Sequence, residues 1–231
     1  MRFIMVLLLS FSYFTVNAQG ISLGKTRIIF TGNHTTDSVN ITNDDNRPYL
    51  IQAGVTETID GGLSPHFIVT PPIFRLENKS TSSLRILLKD AKRLPGDRES
   101  LFYLNTKIIP STKKNESDSS VSKLVIMTNF VIKVIYRPEG IEAPSNNYYQ
   151  KITLNHQGKR GFLNNPTPYY FTVVAIKINN QKVNKTILLA PYGQVELTQA
   201  TIQQASWHII NDYGELSKEF KYKELKNENS Q

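Results

Sequence analysis

The chain has 231 residues, no cysteine and a formal net charge of +8. Without thiols it can form no disulfide, no thiolate metal site and no cysteine nucleophile, so the fold rests on its core alone. The lysines and arginines are dispersed, with no run of five, so the positive balance describes a solvated basic surface rather than a nucleic-acid interface.

The chain opens on MRFIMVLLLSFSYFTVNA, residues 1–18, with Arg2, an apolar centre at Met5–Leu9 and a cut expected after Ala18. This is the pattern of a cleaved secretory signal peptide. The apolar stretch is too short to span a bilayer, and Ser10 and Ser12 interrupt it. Cleavage leaves about 213 residues with a formal charge of +7 and no later segment apolar enough to cross a membrane.

Strand signals dominate the next stretch. ISLGKTRIIF, DSVNIT, YLIQAGVTE, FIVT, SSLRILLK, SLFYLNTKII and KLVIMTNFVIKVIY are β-branched or aromatic runs separated by polar or Gly/Pro breaks. Seven such runs in about 120 residues predict an antiparallel sandwich. LKDAKRLPGDRESLF has room for one helical turn before Pro95. The segment TKKNESDSSVSK, residues 112–123, has no apolar anchor and reads as a polar loop between two strong strands. X-Pro bonds are where cis geometry occurs, and the sequence leaves the isomer open at Pro71, Pro72, Pro166 and Pro168.

Pro138, Gly140 and Pro144 punctuate the stretch RPEGIEAPSNN. The division expected is a first domain over 19–138, a short stiff linker over 139–143 and a second, smaller β domain over 144–231. The second domain draws on YQKITLNH, YYFTVVAIKIN, KVNKTILLA, GQVELT and SWHIIND. Its tail is charged after Tyr222 and is expected to fray.

Two charges sit oddly in this pattern. Lys133 lies in the apolar run NFVIKVIY, and Arg27 leads straight into Ile28, Ile29 and Phe30. Charge taken out of water is expensive unless something pairs with it. Reactive constellations are hard to find. His34, His66, His156 and His208 are scattered without ligand spacing, and no phosphate loop or nucleophile elbow is present. Asp97 and Glu99 flank Arg98 and read as a structural ion pair. No catalytic residue, metal or cofactor is expected.

TRIIF after a signal peptide, TPPIFRLENKSTSSLRI, LPGDRESLFYLNTKIIP, IKVIYRP, NPTPYYFTV and INDYG occur in this order. Together they resemble the periplasmic chaperones of the chaperone–usher pathway, which assemble pili and fimbriae, and the resemblance runs from about residue 20 to 214. It implies an all-β fold of two immunoglobulin-like β-sandwich domains in an L or boomerang shape, with a binding cleft between them. It implies a periplasmic chaperone that binds, stabilises and delivers pilus or fimbrial subunits to an outer-membrane usher by lending them a strand.

By motif position, Arg27 and Lys133 would anchor the carboxylate at the subunit's C-terminus. Leu124, Ile126 and Thr128 would be the donor-strand side chains, with Thr128 departing from the usual large apolar residue. Val125 and Met127 would then pack in the chaperone's own core or beside the groove. Glu99, Arg137 and Asp212 would form an ion network between the domains. The modest spacing and the lack of cysteine resemble the short-loop branch of the family. A strand apolar on both faces is an aggregation hazard, so the polar loop, subunit capture or self-association of the empty protein is expected to cover it. The alternative is a secreted β-sandwich adhesin or ligand-binding module. The loops, however, are poor in aromatics, and Trp207 lies inside a strand-like run.

Overall fold

The structure, a computed structural model, describes residues 20–32, 34–111, 126–157, 160–198 and 202–223. The signal-peptide reading of residues 1–18, the polar loop 112–123, Leu124 and Val125 lie outside the described residues. Nearly all regular structure is strand.

The first half forms nine strands: β1 (Ile21–Leu23), β2 (Arg27–Thr31), β3 (Thr36–Asn43), β4 (Tyr49–Thr56), β5 (Phe67–Thr70), β6 (Ile73–Leu76), β7 (Ser80–Leu88), β8 (Ser100–Pro110) and β9 (Thr128–Arg137). They make two sheets, β1-β3-β7-β5 and β2-β9-β8-β4-β6. The period-2 alternation of strand side chains decides which residues fill the gap between them. Val39, Leu84, Ile86, Val55, Leu104, Phe30 and Val134 are buried there in one core. Ile41, Ile51, Leu76 and Ile108 form a second cluster with Tyr49.

The run ISLGKTRIIF is not one strand. It breaks at Gly24, and its halves join opposite sheets, β1 beside β3 and β2 beside β9. KLVIMTNFVIKVIY also begins later than expected, because Ile126 and Met127 precede β9. The stretch before Pro95 closes a single turn, with Leu94 N–H donating to the Ala91 carbonyl at 3.0 Å. The Thr70–Pro71 bond is cis.

The second half adds a four-residue helix, α1 (Asn146–Tyr149), and strands β10 (Thr153–Gln157), β11 (Arg160–Asn164), β12 (Phe171–Ile178), β13 (Gln181–Lys182), β14 (Ile187–Leu189), β15 (Gln194–Thr198), β16 (Gln204–Ile210) and β17 (Phe220–Lys223). One sheet runs β10-β11-β15. The other runs β13-β12-β16-β17, with β14 also paired to β12. Trp207, Phe171, Tyr169, Leu163 and Ile209 are buried between them. The pattern analysis missed β11, whose residues are mixed polar and apolar, and β17, which continues into the charged tail.

The halves meet around the PYY segment. Asn165 is fully buried, and its amide donates to the carbonyls of Tyr169 (2.7 Å) and Ala190 (2.8 Å). Its side-chain oxygen accepts from the Thr167 amide and hydroxyl. A buried polar group costs little when every donor and acceptor is used. This fully bonded asparagine shapes the loop that offers the Pro168 carbonyl and the Tyr170 N–H to the first half. Glu99 N–H donates to Pro168 (2.9 Å), and Tyr170 N–H donates to Glu99 Oε2 (2.7 Å).

Candidate functional site

The site grows from the pairing of two strands. β2 lies parallel to β9, with Arg27 opposite Lys133, Ile29 opposite Ile135 and Thr31 opposite Arg137. Ile28, Phe30, Val134 and Tyr136 face the sandwich core. By parity, Arg27 and Lys133 therefore share the opposite face of the sheet. Neither makes an ion pair among the described residues. Arg27 Nε is buried with no hydrogen-bond partner among them.

Burial, and after it the charge on Arg27, holds the Lys133 ammonium below its ordinary pKa. Burial likewise lowers Arg27, which Asp212 and Tyr149 partly offset. Two half-buried cations beside an unused donor leave room for one anion with several acceptor atoms.

The far side of β9 is open beside them. β8 pairs with β9 along Thr128–Tyr136, but β2 covers the other edge only from Lys133 onward. Residues 128–132 thus present an unpaired edge among the described residues. Thr128 and Ile126 have the parity of Phe130 and Ile132, the side that faces the sandwich interior, whereas Lys133 has the other. Anchor and donor candidates thus lie on opposite faces of one strand. Ile126 is 71% exposed. Met127 is 63% exposed, so it does not lie in this protein's core, the first position suggested for it.

Arg137 is 2% exposed and fills the junction of the two halves. Its Nε donates to Glu99 Oε1 at 2.7 Å, and its terminal nitrogens donate to Asp212 at 2.9 and 3.3 Å. The guanidinium also stacks 5.6 Å from the Tyr169 ring centre. Burial works against the charge on Arg137, but Asp212 and Glu99 outweigh it and raise its pKa. Burial lifts Glu99, which the Arg137 charge and the Tyr170 N–H pull back in part. Glu99 does not pair with Arg98, which binds Asp97 instead at 2.8 Å.

The sequence analysis missed a polar ladder on the same face as Lys133. Asn129 Nδ2 donates to Asn105 Oδ1 (2.8 Å), and Asn105 Nδ2 donates to Thr56 Oγ1 (2.7 Å), crossing three strands. Asn105 sits in SLFYLNTKII as anomalously as Lys133 sits in its own run, and that signal was available.

Residues 20–142 match the family described as pili and flagellar-assembly chaperone, PapD N-terminal domain. Residues 147–221 match the pili assembly chaperone PapD, C-terminal domain. The chain is 37% identical over 201 residues to the chaperone protein FimC of Escherichia coli (strain K12), covering 86% of this chain and 82% of that one. It is 33% identical over 217 residues to FocC of Escherichia coli, covering 92% and 94%. Among solved structures it resembles the periplasmic chaperone SfaE, with a TM-score of 0.72 and 31% identity over 87% of this chain and 98% of that one. It also resembles a chain in the Salmonella enterica SafA pilin complex with the SafB chaperone, with a TM-score of 0.78 and 25% identity over 90% and 98%.

Proposed function

The chain belongs to the family of PapD-type pili assembly chaperones, and from that premise we propose how it grips a subunit. Arg27 and Lys133 anchor the C-terminal carboxylate of a pilus subunit. The open edge of β9 pairs with the strand that leads to that carboxylate. The observation that carries this reading is the edge that, among the described residues, is free up to Ile132 and closed from Lys133 by β2, whose first residue is Arg27.

An incoming strand occupies the same lane as β2 and must stop where β2 begins. Its last residue then lies at the anchor, and its earlier residues run back along 132 towards 126. That direction is parallel to β9, as β2 itself is. Fixing the carboxylate fixes the register, and a one-residue slip would turn every side chain to the wrong face. Ile126 and Thr128, and Leu124 before them, then offer their side chains to the subunit's incomplete core. The stripe is the continuation of Phe130 and Ile132 past the end of this protein's own sandwich.

The rest of the assignment follows the family. The protein is exported by cleavage of residues 1–18 and works in the periplasm as two domains joined over 139–143. It passes its subunit to an outer-membrane usher. SafA pilin, bound to the related SafB, supports a pilin as the partner class.

The test is co-expression with a pilus subunit that is degraded when produced alone. Wild type should yield a soluble complex. Arg27→Ala and Lys133→Ala should each weaken it about tenfold to a hundredfold, the value of one or two charge-assisted bonds. The melting temperature should not fall, since neither side chain is in an ion pair among the described residues and each carries a desolvated charge. Retention of the subunit by both variants at wild-type levels would sink the anchor.

A further inference from the structure

The second domain overhangs the anchor. A β-carbon at Gly214 would lie 3.0 Å from Thr26 Oγ1, which places the Asn211–Ser217 turn against the residue just before Arg27. Asp212 stands close enough for its charge to act on Arg27.

The turn is held rigidly. Asn211 Oδ1 accepts from the amides of Tyr213 (3.0 Å) and Glu215 (2.9 Å), and Asn211 N–H donates to the Glu215 carbonyl (2.9 Å). Ile210 bridges Leu216, and Ser217 N–H donates to Ile209 (2.8 Å). Yet Tyr213 is 87% exposed and Leu216 is 61% exposed. A large side chain exposed on a hydrogen-bonded turn is preorganised for contact. Tyr149, Asp212, Tyr213, Leu216 and Lys218 line a hollow of about 460 Å³ there.

We infer that this hollow, under the Asn211–Ser217 turn that abuts Thr26, receives the side chain of the subunit's terminal residue and selects an apolar or aromatic one. The inference rests on the anchor reading, because the carboxylate places the terminal residue at the end of the β2 lane. Apolar surface decides the class of side chain. Tyr213, Leu216 and Tyr149 supply it, while Asp212 is already bonded to Arg137 and Lys218 lies over the Phe220 ring. A charge brought into this hollow would lose water without gaining a dedicated partner. The second domain thereby takes part in recognition as well as framing the cleft.

The test uses a soluble peptide of alternating valine and threonine with a free C-terminal carboxylate. Its last residue is tyrosine, leucine, alanine, lysine or aspartate, and affinity is measured for wild type, Tyr213→Ala and Leu216→Ser. Wild type should bind the tyrosine and leucine peptides about tenfold tighter than the alanine peptide, and the charged ones more weakly still. Each variant should shrink the tyrosine-to-alanine ratio severalfold. An equal affinity for all five peptides, or a ratio unchanged in both variants, overturns the inference. A C-terminally amidated tyrosine peptide separates the two readings. If amide and acid bind alike, the anchor fails. If the acid is preferred but the terminal side chain is not sensed, only the hollow fails.

Discussion

Lys133 and Arg137 stand four positions apart on one face of one strand, and their environments give them opposite fates. Arg137 has two carboxylates and a ring to satisfy it. Arg137→Ala should cost about 3–5 kcal/mol, because it strands Glu99 in the interior without its partner. Urea unfolding would read the loss, and a value under about 1 kcal/mol would show the network to be dispensable. Lys133 has no such partner among the described residues, and its depressed pKa has two consequences of opposite sign. As pH rises through that pKa, the free protein gains stability, since the folded state sheds a desolvated charge that the unfolded chain carries without penalty. Over the same window, affinity for a terminal carboxylate falls, because the ammonium it needs is lost. A titration of peptide affinity against pH should show the decline beginning below the range of an ordinary lysine. Lys133→Arg should remove it, since a guanidinium does not titrate there.

At the scale of the element, β9 is a composite. Its second half is an interior strand, flanked by β2 and β8 and packed by Val134 and Tyr136. Its first half is an edge, a liability in any soluble protein. The same backbone thus stabilises its own sandwich and offers unsatisfied ladder groups to another chain. Ile126, just before β9 and largely exposed, is proposed to serve the second task only. Ile126→Asp should leave the melting temperature within about a degree of wild type, as substitutions at exposed sites do, while abolishing subunit capture in co-purification. A matching fall in stability would mean that Ile126 packs at home after all.

At the scale of the molecule, the two halves are tied where the chain crosses between them. Glu99 reaches Tyr170, Arg137 reaches Asp212, Arg98 stacks 5.1 Å from the Tyr192 ring centre, and Gly214 abuts Thr26. Asp212 is only partly buried, so Asp212→Ala should cost little stability, about 1 kcal/mol. It removes the link through Arg137, and small-angle scattering should show a broader distribution of interdomain distances. An unchanged scattering profile would assign the angle to the Glu99 and Gly214 contacts instead.

The sequence by itself determined the class of fold, because alternating apolar runs and turn residues are local properties. It marked Arg27 and Lys133 as anomalies, because a charge in an apolar run needs no neighbour to be noticed. Glu99, Arg137 and Asp212 were implied as a network only by the family resemblance, and the tertiary structure brings these three into hydrogen-bond contact. Only the tertiary structure decided that ISLGKTRIIF divides between two sheets, that Arg27 and Lys133 are register partners, and that β9 has no β2 strand beside residues 128–132 among the described residues. Only it brought the Asn211–Ser217 turn against Thr26, far from it in the chain. Strand order and edge exposure are set by pairings between residues distant in the chain, and pattern along the chain carries no record of which strand is missing a neighbour.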